Sequence, residues 1–289
     1  MKLLTQADDY GFTRGVTAGI IDAIENGMLR NTGMFTNMPT AIPAAALVEK
    51  YPHVCFGIDF NTVSGPSVTD PKLIPNLVDE NGDFIRSSVR IKDQRFLTEE
   101  GRREMFPAEE MRMEIRAQYD KFIELTGKKP GYLHGHSIMP ETYIEAIREV
   151  AAETGVPYSF DLYEETGVVM PLMGLGNNDA TTKKTFDPMG QINKDPEGIF
   201  WEHRDELLKH DYVAVVGHTG FLDAALFELT SLSIERVRDH ETMTSKRILN
   251  WLKENNIELI TYYDLVKAPR VEGGSVANPM LDAVMGKEK

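Results

Sequence analysis

Short apolar runs alternate with longer stretches of helical spacing along most of the chain. Runs of strand length fall at 3–7, 31–36, 54–60, 131–134, 157–162, 212–216 and 257–261. Between the first two, residues 13–26 place Val16, Ile20, Ile21 and Ile24 at helical spacing, with Thr13 as a cap and Gly27 as a stop. Helices are likewise predicted at 43–50, 108–126, 141–154, 200–209 and 234–254, and a short helix or turn begins at Tyr263. Two stretches break the pattern, 62–106 and 164–196. The first carries Pro66, Pro71, Pro75 and Asn81-Gly82, which predicts a long irregular insertion with a hairpin at Asn81-Gly82. From Pro269 onward, with Gly273-Gly274-Ser275, a loose tail is expected.

Strands that alternate with helices predict an α/β chain with mainly parallel strands. About seven such units suit a distorted (β/α) barrel of the TIM type. The expectation is a single barrel domain over 1–268, with irregular insertions near 62–106 and 164–196 and a C-terminal tail at 269–289. A doubly wound open sheet is the structural alternative.

Charge narrows the partners. The 289 residues hold 31 Lys+Arg against 45 Asp+Glu, a net charge of −14. Nucleic acid and anionic membrane surfaces would be repelled. No apolar run approaches the roughly 18 residues of a spanning helix, and the opening run stops at Asp8-Asp9, too soon for a signal peptide. The single cysteine, Cys55, excludes an intrachain disulfide and fits a reducing compartment. A cytoplasmic enzyme or binding protein for a small molecule is expected, with homo-oligomerisation left open.

Barrel active sites lie at the C-terminal ends of the strands. There the sequence turns polar repeatedly: Asp8 and Asp9 after the first run, Asn37 after the second, Asp59 and Asn61 after the third, His134 and His136 after the fourth, Asp161 in the fifth, His218 after the sixth, and Tyr262, Tyr263 and Asp264 after the last. Each has an ordinary explanation alone, such as a helix cap for Asp8-Asp9, a core pair for the histidines or a turn at Asp59. Together they predict one polar pocket. Adjacent acids repel unless a cation or a shared proton intervenes. Residues two apart on a strand share a face, so His134 and His136 can reach one point. Asp and His ligands suit a divalent cation, Mg²⁺ or Zn²⁺, with Mn²⁺ and Co²⁺ open. There is no Gly-x-Ser-x-Gly elbow, Walker loop or Gly-x-Gly-x-x-Gly fingerprint.

Several motifs then carry a resemblance. Ala7-Asp8-Asp9-Tyr10-Gly11-Phe12-Thr13 resembles the N-A-D-D-F-G opening of the YdjC-like carbohydrate deacetylases, which include chitooligosaccharide deacetylases. Thr36-Asn37-Met38-Pro39, Gly57-Ile58-Asp59-Phe60-Asn61, Tyr132-Leu133-His134-Gly135-His136, Gly217-His218-Thr219-Gly220 and Ile260-Thr261-Tyr262-Tyr263-Asp264 follow in the family's order. The resemblance spans roughly residues 3–266. It implies a distorted barrel that removes acetyl groups from N-acetylated sugars with a divalent metal. By resemblance Asp8 is the base, Asp9 and His136 are ligands and His218 is the general acid. Two positions depart: the family has His at Asp59 and Asp at His134. A mixed site of Asp9, Asp59 and His136 is expected, with His134 a fourth ligand or a partner of the ligands. Asn37, Asn61 and Arg236 are candidates for holding the sugar. The alternatives are a metal-binding sugar isomerase or other hydrolase on the same barrel, and a saccharide-binding protein with a degenerate site.

Overall fold

The computed structural model describes residues 1–175 and 186–271; the predicted tail beyond 271 and the centre of the second irregular stretch lie outside them. Among the described residues the strands are β1 (Lys2–Tyr10), β2 (Asn31–Met34), β3 (Cys55–Phe60), β4 (Leu133–Gly135), β5 (Tyr212–Gly217) and β6 (Glu258–Ile260). All pairings are parallel, in the order β4-β3-β2-β1-β5. One edge of β1 pairs with β5 through Lys2–Ala7. The other is shared end to end: β6 pairs with Lys2, Leu3 and Leu4, and β2 pairs from Gln6 onward. Asn31 joins these two short strands, its Nδ2 donating to the Ile260 carbonyl at 3.1 Å and its Oδ1 accepting from the Tyr262 N–H at 3.0 Å. The sheet is thus curled into a half-barrel around β1, buried at every position from Leu3 to Tyr10.

Helices cover the outside. In the helix Arg14–Asn26, the Thr13 hydroxyl accepts from the Val16 N–H, and Val16, Ile20, Ala23 and Ile24 face the sheet. The helices Ala108–Thr126 and Glu141–Thr154 each end on a left-handed glycine, Gly127 and Gly155.

Three expectations change. The run at 157–162 is not a strand: Tyr158 makes one bridge to Leu133, and the helix Ser159–Thr166 begins immediately. Its buried residues Ser159, Phe160, Leu162, Tyr163 and Thr166 form a helical face that short-range alternation mimics. This helix crosses the gap between the sheet edges, with Tyr158 bridging β4 and Val169 bridging Val213 of β5. The predicted helix at 234–254 breaks at Ser245, whose extended backbone ends Glu235–Thr244 and whose hydroxyl caps Lys246–Glu254. The stretch 62–106 contains a capped helix, Glu99–Met105, opened by Thr98. Its expected hairpin is present as a turn closed by a Val78–Phe84 bridge.

Candidate active site

Neighbouring residues on an extended strand point to opposite faces. Asp8 and Asp9 can therefore serve one pocket only if the strand is irregular. It is: the β1–β2 register slips between Ala7 and Tyr10, and Asp9 adopts a left-handed φ of 71°. Aspartate tolerates that region better than most residues. Both carboxylates consequently face the end of the sheet where β3 and β4 finish.

Asp9 meets Asp59 and His136 there. The Asp9 N–H donates to Asp59 Oδ2 at 3.2 Å. His136 Nδ1 stands 2.9 Å from Asp9 Oδ1 and 4.0 Å from Asp59 Oδ2. One donor atom from each of these residues lies within 4.8 Å of the other two. Glycine makes room for the set: a Cβ on Gly33 would lie 2.7 Å from Asp59 Cβ. Phe35 props the His136 ring edge-on at 4.7 Å. Asp59 Oδ1 is buried and makes no hydrogen bond, and Asp9 Oδ1, equally buried, has only the His136 ring nitrogen beside it. Buried acceptors are normally satisfied, so this arrangement fits a cation ligated by Asp9, Asp59 and His136.

The charges agree. Burial alone would raise Asp9, but the neighbouring His136 and Arg236 charges hold its carboxyl well below the ordinary range. Burial, reinforced by the charges of Asp8 and Asp9, drives Asp59 well above it. Burial also raises Asp8, with His218 opposing. Three buried acids thus crowd one pocket beside Arg236 and His136, and a divalent cation there would favour the ionised form of each.

His134 stands apart from the converging donors. Its Nδ1 is 2.6 Å from the Ser159 hydroxyl, and its Nε2 is 4.0 Å from Asp8 Oδ2. Burial, with the nearby His136, pulls its pKa down to about 4, so the ring is neutral at pH 7. The two histidines of β4 and the loop after it thus divide between the two adjacent acids, His134 toward Asp8 and His136 toward Asp9. His218 is partly buried, and that burial keeps its pKa below the usual imidazole value.

Arg236 and Asp239 lie three residues apart on the helix Glu235–Thr244, hence on one face. Arg236 donates from Nη2 to Asp9 Oδ2 and from Nε to the Leu232 carbonyl. Asp239 accepts the His218 N–H at 2.7 Å. Asn37 and Asn61 are directed at the protein. Asn37 Nδ2 donates to the Ser64 and Pro66 carbonyls, and Asn61 Oδ1 accepts from Val63 and Ser64. Together they fold the loop after β3 beside the pocket. Asp161 pairs with Arg148 on an outer surface.

Sequence reasoning did not single out Gln6, Ser159 or Asp239. Gln6 donates to Asp8 Oδ1 at 2.6 Å. A usable signal existed for two of them: Gln6 lies two residues before Asp8 on one strand face, and Asp239 lies one helical turn after Arg236. Ser159 had none, because the run that contains it reads as strand.

The chain is similar over most of its length to several known proteins. A carbohydrate deacetylase 2 from Listeria innocua is 31% identical over 271 residues, covering 92% of this chain and 100% of that protein. A chitooligosaccharide deacetylase from Proteus mirabilis is 25% identical, covering 91% of this chain and 98% of its own. Among solved structures, a proposed cellobiose-phosphate cleavage protein from Enterococcus faecalis superposes with a TM-score of 0.69 at 20% identity, over 91% of this chain and 98% of that one. That likeness supports the fold. The family model described as YdjC-like protein matches residues 2–254, and the chain belongs to that family.

Proposed function

We propose that this protein is a metal-dependent carbohydrate deacetylase that hydrolyses the amide of an N-acetylated sugar. The observation that carries the reading is the convergence of Asp9, Asp59 and His136 donor atoms beside Asp8, with Asp59 Oδ1 buried and unsatisfied. Relatives covering nearly the whole chain are named carbohydrate deacetylases. Asp9, Asp59 and His136 would hold the cation, which when bound supplies Lewis acidity toward the acetyl carbonyl and toward water.

The remaining work falls to this chain's own groups. Asp8 Oδ2, left open by the bond that Gln6 makes to Oδ1, takes the proton of the attacking water. Burial raises the Asp8 carboxyl, which makes it a stronger base than an exposed aspartate. His218, held at its backbone by Asp239, would deliver a proton to the leaving amine from its imidazolium form, which burial disfavours and the Asp9 and Asp8 carboxylates favour. Arg236 fixes the Asp9 carboxylate from behind. Asn37 and Asn61 shape the loop that borders the substrate, with their own amides tied to that loop.

The test is acetate release from acetylated mono- and disaccharides, with chelator-treated protein supplemented by Mg²⁺, Zn²⁺, Mn²⁺ or Co²⁺ in turn. Release with one or more ions is expected. Ion binding without release from any sugar would favour another hydrolase or an isomerase, and saccharide binding with neither would favour a non-catalytic protein.

A further inference from the structure

Behind Asp8, inside the half-barrel, runs a chain of polar groups that the reaction does not itself consume. Gln6 shares the face of Asp8 on β1 and is fully buried, as are Tyr262 and Tyr132. Gln6 Nε2 donates to Asp8 Oδ1 at 2.6 Å. Gln6 Oε1 accepts the Tyr262 hydroxyl at 2.5 Å, and the Tyr262 and Tyr163 hydroxyls lie 2.5 Å apart.

Chemistry fixes the direction of every link. A carboxylate only accepts, so the Gln6 amide must turn its nitrogen to Asp8 and its oxygen to Tyr262. Tyr262 has one proton, and Gln6 receives it. The Tyr163 hydroxyl must therefore donate to the Tyr262 oxygen. Three donors in series point at one oxygen of Asp8. Chains of this kind polarise one another in a dry interior.

The chain is also rigid. The Tyr262 ring stacks on Tyr132 with centroids 3.8 Å apart and an interplanar angle of 17°. Tyr163 lies nearly parallel to Tyr262 at 5.9 Å. Tyr262 opens the helix Tyr262–Leu265, and Tyr163 belongs to Ser159–Thr166. Elements from the end and the middle of the chain thus converge on a side chain of the first strand. Apolar residues of similar size would fill this interior without needing partners, so packing alone does not call for four linked polar groups.

We propose that Gln6, Tyr262 and Tyr163 form a positioning relay that fixes the Asp8 carboxylate, holding Oδ1 so that Oδ2 is presented to the substrate. This rests on the reading of Asp8 as the base. The three are positioning residues, and none touches the reacting atoms.

Tyr262→Phe removes one hydroxyl and keeps the ring stack. The expected result is a fall in kcat for acetate release of about 10–100-fold, the size of one lost bond in a charge-assisted chain. KM is expected to stay within about two-fold, since the substrate contacts are untouched. Gln6→Met should cost at least as much, and Tyr163→Phe less, because the effect declines with distance from Asp8. Unchanged kcat in Tyr262→Phe would overturn the relay. So would losses in the three variants that follow their melting temperatures rather than their distance from Asp8. A crystal structure of Tyr262→Phe reads the relay without substrate: a rotated Gln6 amide or a displaced Asp8 carboxylate is expected, and both side chains in place would refute it. If the parent protein releases no acetate from any sugar, the deacetylase reading fails, and this structural comparison still decides the relay.

Discussion

Glu114 and Asp59 are both fully buried carboxylates, but their oxygens have opposite fates. Glu114 lies on the helix Ala108–Thr126, and its oxygens accept from the Val68 N–H at 3.1 Å, the Thr69 N–H at 2.9 Å and Gln118 Nε2 at 2.8 Å. One turn earlier, Glu110 accepts the Asn76 N–H at 2.9 Å; one turn later, Gln118 clasps the backbone of Asn61 through N–H and carbonyl together. The polar stripe at four-residue spacing fastens residues 61–76 to the barrel. At the strand ends, Asp59 accepts a single N–H, and its Oδ1 has no partner. A buried acid whose acceptors are filled by backbone is an anchor. A buried acid with an orphaned oxygen, beside another acid and an imidazole, has the makings of a ligand set.

Asp8 sits between these cases, one oxygen filled by Gln6 and the other open, and it gives the largest expected effect. Asp8→Asn keeps the shape and the Gln6 neighbour but removes the base. Acetate release should fall about 10²–10⁴-fold, while stabilisation by added divalent ion persists. Steady-state kinetics with a parallel thermal melt checks both; loss of the ion response would move Asp8 into the ligand set.

The next effect separates the two kinds of acid directly. Chelator-treated protein should gain about 2.7 kcal/mol on adding a divalent ion at 100 times its Kd. His136→Ala should abolish that gain, and Glu114→Gln should leave it intact. Calorimetry with each variant is the measurement. An ion response that survives His136→Ala would dissolve the proposed ligand set.

Smaller again is the anchor itself. Glu114→Ala leaves the Val68 and Thr69 N–H groups without their acceptor, at a cost of about 1–3 kcal/mol. Urea unfolding should record this loss with little change in the ion-induced gain. Equal losses in both would mean that the 61–76 loop and the ligand set are one cooperative unit.

How much of this was legible in the residues follows the same divide. The polar strand ends Asp8, Asp9, Asp59, His136 and His218 stand out because a strand buried on both faces has no reason to finish on charge. The meeting of Asp9, Asp59 and His136 also needed the twist at Asp9, and nothing in an Asp-Asp pair announces a left-handed φ. Local spacing fails where a buried helix face looks like an alternating strand, as at Ser159–Thr166, or where a capping hydroxyl such as Ser245 sits inside a continuous amphipathic pattern. The anchor was hidden for a different reason. Glu110, Glu114 and Gln118 look like a solvated face of their helix, and only the return of the 61–76 loop buries them. Asn37 and Asn61 were visible as polar residues near the pocket, but spacing does not reveal that each would turn to the loop carbonyls and N–H groups beside it.

The finest test of the comparison is the pH response of the anchor. Burial raises the Glu114 pKa above the ordinary glutamate value, and the bonds from Gln118, Thr69 and Val68 only partly oppose it. The folded state therefore binds the Glu114 proton more tightly than the unfolded chain does. The contribution of such a group to stability is full below the unfolded pKa, roughly 4.3, and is lost as pH rises through the raised folded value. Glu114→Gln cannot titrate. The stability of the parent relative to this variant should thus decline as pH climbs from about 4 toward neutrality. Thermal melts of both proteins across that range measure the slope. A relative stability that grows with pH would show that the filled acceptors hold Glu114 as the anion more firmly than burial resists it. The anchor and the ligand set would then differ in their partners but not in the cost of their charge.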